Sequence, residues 1–174
     1  ILMISSLSVY AIIYSGWSSN SKYPFLGAMR SAAQMISYEL GLSMIILILA
    51  FSSNSLSING IIYSQQTLIN IFPHFPLFIL FLISILAETN RHPFDLPEAE
   101  AELVSGYNVE YSSMTFALFF LAEYGNILYM SVLTILFFFG GYINFINNSI
   151  IFFSIKIVLV FFFFVWVRVT IPRY

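Results

Sequence analysis

Apolar residues in this chain run in long blocks separated by short polar stretches, and that pattern predicts helices that cross a membrane. A spanning helix needs roughly 20 mostly apolar residues. Residues 1–14 form the tail of one such block, and complete blocks follow at 31–51, 68–87, 113–139 and 150–167. The third is short unless it begins near Leu68. The fourth, at about 1.5 Å per residue, reaches ~40 Å and so is tilted or projects beyond the hydrocarbon. The expected architecture is all-α: a polytopic integral membrane protein, one domain over 1–174, with four complete transmembrane helices and part of another. No repeat of useful length is present, which argues against a carrier built from inverted halves.

Alternating connections let the basic residues set the orientation. Lys22, Arg30, Arg91, Arg168 and Arg173 all fall on one side, whereas 52–71 and 142–149, on the other, contain no Lys or Arg. The positive-inside rule makes the charged side cytoplasmic in a bacterium or matrix-facing in a mitochondrion. Lys156 lies within the last block near its uncharged end, where its stem can snorkel outward.

Composition removes most other classes. Hydrophobic residues make up 60% of the chain and charged residues 8%, against about 25% charged in soluble proteins, so lipid must be the main solvent. No nucleic-acid partner is expected, and the net charge of −2 is uninformative as a total, because five of the eight acids lie between Glu88 and Glu102. The chain has no cysteine, so it offers no thiolate for a disulfide, a zinc site or an iron–sulfur cluster. His74 and His92, far apart in sequence, fall short of a haem or copper site. No metal site and no catalytic residue of its own is expected. A first residue other than Met, with no basic region before the first apolar block, suggests a trimmed or partial chain without a cleavable targeting peptide.

Against this background the ionisable residues stand out. A charge at a helix centre costs about 2.5 kcal/mol or more, which makes it a functional candidate by default. Glu39 lies in the second block and Glu123 in the fourth, each beside a tyrosine that points about 100° away on a helix. Structural hydrogen bonding between helices is the competing explanation. Glu88 closes the third block at the charged side and is placed to join the other two in a polar track for protons.

The loop 88–112 is acidic and punctuated by Pro93 and Pro97. Asp95 followed by Glu98 fits a helix-capping pattern with Pro97 in the first turn, predicting a short helix over about 96–104 that ends near Gly106. On it Glu98 and Glu102 share a face, and like charges at that spacing destabilise a helix unless protonation, water or a basic surface compensates. A plain solvated loop is the alternative. Residues 22–30, with Pro24 and Gly27, read as a loop that leaves Arg30 at a helix N-terminus, the end its charge does not suit. An acidic neighbour or an interfacial anchor would each account for it. Phe116, Phe119, Phe120 and Tyr124 recur at helical spacing, either as packing or as the lining of a cavity for an apolar ring or isoprenoid tail.

Several long stretches resemble the membrane subunit 1 family of respiratory complex I, the NADH:ubiquinone oxidoreductase. They are SGWSSNSKY (15–23), GAMRSAAQMISYE (27–39), AETNRHPFDLPEAEAELVSGYNVEY (87–111), FALFFLAEY (116–124) and the terminal IPRY. The resemblance implies a core membrane subunit of a proton-translocating enzyme, with a quinone chamber at the junction with the hydrophilic arm. It assigns Arg30, Arg91, Asp95, Glu98, Glu100 and Glu102 to the surroundings of that chamber, and Phe116, Phe120 and Arg168 to the neighbourhood of the quinone tunnel. Glu39, Glu88 and Glu123 correspond to acids on the polar path into the membrane arm.

Ubiquinone is then the shared substrate, and FMN and the iron–sulfur clusters reside in partner subunits. The expected partners are the quinone-site and iron–sulfur subunits of the hydrophilic arm, chains supplying further helices, and membrane lipids. Family members have eight spanning helices, of which this chain corresponds to the end of the third through the seventh. It should therefore act as a non-autonomous subunit of the enzyme, without a complete active site. The mitochondrial inner membrane fits the aromatic-rich, cysteine-free composition better than a bacterial plasma membrane. A related hydrogenase anchor subunit and a free-standing channel or carrier are the rival functions.

Overall fold

The computed structural model describes residues 2–91, 93–94, 111–142 and 150–171, with side chains from Ser5 onward. Helix is the only regular structure among them. In chain order the helices are α1 (Leu2–Ser18), α2 (Lys22–Ser52), α3 (Ile58–Ser64), α4 (Phe75–Glu88), α5 (Ser113–Phe138) and α6 (Ile150–Thr170). Three of them, α2, α5 and α6, are long and apolar enough to cross a membrane, and α4 is a shorter apolar helix of 14 residues. The chain is thus a polytopic helical membrane protein. The capped helix expected over about 96–104 lies outside the described residues.

Two segments differ from the sequence reading. Residues 22–30 are the first turns of α2 and not a loop. Pro24 sits in the first turn, where a missing N–H breaks no intrahelical bond. Gly27 is buried within the helix. Arg30 consequently lies inside α2, exposed, and not at a helix N-terminus. The polar connection after α2 contains α3, seven residues long, whose N-cap Ser57 accepts a hydrogen bond from the Gly60 amide at 3.1 Å.

Hydroxyl groups along the apolar helices fold back onto their own backbones. Ser15 donates to the Ile12 carbonyl at 2.7 Å, Ser131 to Leu128 at 2.7 Å and Thr134 to Met130 at 2.8 Å. In lipid this local bonding satisfies polar groups that have no water to turn to. Small residues let α1 and α2 approach closely. A Cβ on Gly16 would collide with the Ala28 side chain and the Pro24 carbonyl, the small-residue packing typical of membrane helices. The main apolar core joins α2, α4, α5 and α6 through Leu42, Leu49, Phe81, Ile85, Phe137 and Phe138.

The two ends of the bundle are closed by different chemistry. At the end where α2 finishes and α4 begins, Gln65 donates to the Ile61 carbonyl at 3.2 Å and the Leu136 carbonyl at 3.0 Å, and accepts from the Gly140 amide at 2.9 Å. Asn70 donates to the Phe137 carbonyl at 3.0 Å. These contacts bind the 52–74 connection to the end of α5. Lys156 turns to the same point, donating to the Phe139 carbonyl at 2.8 Å and the Gly141 carbonyl at 3.3 Å. It does not snorkel away from the protein but caps the negative end of α5.

Candidate functional site: an acid-walled cavity and a paired-arginine pocket

At the opposite end, α1, α2, α4 and α5 border a half-open cavity of about 320 Å³. Glu88 and Glu123 both line it, with Ser5, Ser8, Asn126 and Tyr129 among the other walls. Glu39 reaches the same place from α2: its Oε1 accepts a hydrogen bond from the Ser5 hydroxyl at 3.4 Å. It also lies within electrostatic reach of Glu88. Glu88 and Glu123, 35 positions apart in sequence, therefore share one space, and Glu39 stands beside it, bonded to Ser5 of its wall.

Glu88 is the most deeply placed, 1% exposed. Its Oε2 is buried without a hydrogen-bond donor among the described residues, as are Gln34 Oε1 and Asn90 Oδ1. Buried acceptors are ordinarily satisfied. A cavity of this size has room for water, which can bridge Glu88 and Asn90 in its wall.

Beside this cavity, on the face of α5 toward α6, a second space of about 120 Å³ is lined by Arg91, Tyr124, Phe164 and Arg168. The Arg91 guanidinium sits 4.7 Å from the centre of the Tyr124 ring, a cation–π distance. Arg168 interacts with the same phenol. Glu123 and Tyr124 thus serve two neighbouring spaces from consecutive positions, as the 100° step of a helix allows. Glu39 and Tyr38 diverge likewise, the Tyr38 ring lying 5.9 Å from that of Phe94.

Gln34 ties the start of the acidic loop to the bundle. Its amide donates to the Ala87 carbonyl at 3.0 Å and to the Phe94 carbonyl at 2.9 Å. The far end of the loop is held by Tyr111, whose hydroxyl donates to the Ser15 carbonyl at 2.9 Å and meets the Ser18 hydroxyl at 2.5 Å. Asp95, Glu98, Glu100 and Glu102 lie outside the described residues.

The aromatic stripe of α5 is divided. Phe119 lines the acidic cavity and stacks on Tyr111, with ring centroids 5.1 Å apart. Phe116 and Phe120 pack edge to face on each other at 4.8 Å. Sequence reasoning singled out the acids but not Ser5, Asn126 and Tyr129. Uncharged polar residues are common on such helices, and only helix packing shows which of them face the cavity.

A helical membrane protein whose packed helices bring carboxyl groups to one shared cavity is the class that this fold and site define. The NADH dehydrogenase family model matches residues 1–174, and the chain belongs to that family. It is 55% identical over 179 residues to an NADH-quinone oxidoreductase subunit of Rhodospirillum rubrum, covering 98% of this chain and 53% of that one. NADH-ubiquinone oxidoreductase chain 1 of Chondrus crispus is also 55% identical, over 181 residues, covering 100% of this chain and 56% of its own. The corresponding chain 1 of Triticum aestivum is 53% identical over 98% of this chain and 55% of its own. The chain spans about half the length of these relatives.

Proposed function

We propose that this chain is part of the core membrane subunit of a proton-translocating NADH:quinone oxidoreductase, with the acid-walled cavity as the start of the proton path into the membrane. The observation that carries this reading is that Glu88 and Glu123 line one cavity, with Glu39 bonded to Ser5 of its wall. Family membership and relatives named for quinone or ubiquinone reduction support the reaction class.

In this reading Arg91, Arg168, Phe116 and Phe120, with Arg30 and the loop acids Asp95, Glu98, Glu100 and Glu102, surround the quinone chamber. Ubiquinone is the substrate. Electrons arrive from partner subunits that hold the FMN and iron–sulfur clusters, since a chain without cysteine offers no thiolate to ligate a cluster. The protein supplies placement and electrostatics while the redox chemistry belongs to quinone and cluster. Because the chain spans about half of its relatives' length, the chamber is completed by helices from elsewhere and by the quinone-site subunit of the hydrophilic arm. The mitochondrial inner membrane is the proposed location, with the acidic loop on the matrix side.

Quinone reduction changes the charge near the loop, and carboxyl groups around a shared cavity can relay the response as protons through water. Replacing Glu39 or Glu123 by Gln keeps the shape and removes the exchangeable proton. Each variant, in the assembled complex, is expected to lose coupled NADH:quinone turnover by about tenfold, equivalent to ~1.4 kcal/mol of barrier. Wild-type turnover with normal proton pumping in both variants would overturn the assignment.

A further inference from the structure

Away from the acidic cavity, α4, α5 and α6 leave between them an apolar space of about 310 Å³ at the opposite end of the bundle. Phe78 and Leu82 of α4, Phe139 after α5, and Leu159 and Phe163 of α6 line it, and Lys156 is its one charged wall. From Lys156 to Phe163 the helix rises about 10 Å, so the space runs from the ammonium toward the middle of the membrane. Most of α6 is uncovered there, with Leu159 exposed on the open side.

Lys156 has three N–H donors. Two are used by the Phe139 and Gly141 carbonyls, which are neutral groups. The chain has no acid on this side at all: 52–74 and 139–155 contain neither Asp nor Glu. A cation at the hydrocarbon boundary without a carboxylate in its own chain calls for an anion from outside. The ammonium sits at the carbonyls that follow α5, and the space beside it has the apolar lining of an acyl-chain groove.

We propose that this space binds one anionic phospholipid, its phosphate on the Lys156 ammonium and one acyl chain along Phe78, Leu82, Leu159 and Phe163. The site is independent of the quinone reading, since it uses none of the same residues and lies at the other end of the bundle.

The test uses the intact, purified complex. A reconstruction at lipid-resolving detail is expected to show chain-shaped density in the groove, with a phosphate at hydrogen-bond distance from the Lys156 Nζ. Extraction and mass spectrometry should then find one tightly held anionic phospholipid fewer per complex in both Lys156→Met and Leu159→Trp. The second variant fills the groove and leaves the Lys156 bonds intact, so its loss cannot be ascribed to a damaged helix end. A protein helix or side chain filling the groove, a zwitterionic lipid in it, or full retention of anionic lipid in either variant would each overturn the proposal. If neither variant assembles, the wild-type density decides alone.

Discussion

Gln65 and Gln34 are both buried glutamines that donate two hydrogen bonds to backbone carbonyls, and they differ in what their oxygen atoms do. Gln65 Oε1 accepts from the Gly140 amide, which completes its set. Gln34 Oε1 has no donor among the described residues, and it shares that condition with Glu88 Oε2 and Asn90 Oδ1 at the same end of the bundle. One end is therefore closed by saturated, uncharged polar contacts. The other combines carboxyl groups, arginines and unmet acceptors around a cavity. Saturated networks hold a fold in one arrangement, whereas unmet acceptors beside a cavity are where water and protons can be exchanged.

That contrast is broken first at the saturated end. Gln65→Leu removes three hydrogen bonds and leaves the Gly140 amide without its partner. At about 0.6–1 kcal/mol per bond in a membrane protein the expected loss is ~2–3 kcal/mol. It should be read as a lowered thermal midpoint and less assembled complex, with normal turnover per complex that does assemble. Normal stability would show that the closure by Gln65 is incidental.

Gln34→Met removes two donors at the acidic end, with an expected stability loss of about 1 kcal/mol. Here assembly should stay near wild type while turnover per complex falls severalfold, because the start of the acidic loop at Phe94 loses its tether. A fall in assembly with unchanged turnover would make Gln34 the equivalent of Gln65 and erase the distinction. The smallest effect is expected for Tyr124→Phe, which keeps the ring under Arg91 and removes only the hydroxyl. Stability should change by less than about 0.5 kcal/mol. A large loss of assembly would mean that the phenol, and not the ring, holds the arginine pair.

Much of the fold is legible in the sequence because lipid imposes a simple rule. Blocks of apolar residues long enough to span are hard to mistake, and α5 begins at the expected Ser113. The misreadings lie where the rule is silent. Residues 22–30 carry a lysine, an arginine, a proline and a glycine, all loop-like in composition, yet a first-turn proline is harmless and Gly27 is buried within the helix. The helix Ile58–Ser64 is too short to leave a periodic signal, and its Ser57 cap is one serine among many.

The candidate acids were visible from their cost within spans, but their meeting was not. That depends on how α1, α2, α4 and α5 cross, which Gly16, Ala28 and the core around Ile85 determine. Neighbour relations in sequence were also a poor guide: Glu123 and Tyr124 are adjacent yet serve different spaces. Only the charge class of each site, acids in one and arginines in the other, could be read from residue type.

The central claim is that Glu39, Glu88 and Glu123 act as one proton-handling unit because Glu88 and Glu123 share a cavity and Glu39 bonds to its wall, and a double-mutant cycle tests it most directly. Coupled NADH:quinone turnover is measured in the assembled complex for Glu88→Gln, Glu123→Gln and the pair together. Residues acting as a unit give strongly non-additive losses. The account predicts that the double variant is no slower than the slower single one. Losses that multiply would contradict it, showing that the two carboxyl groups work independently despite lining the same space.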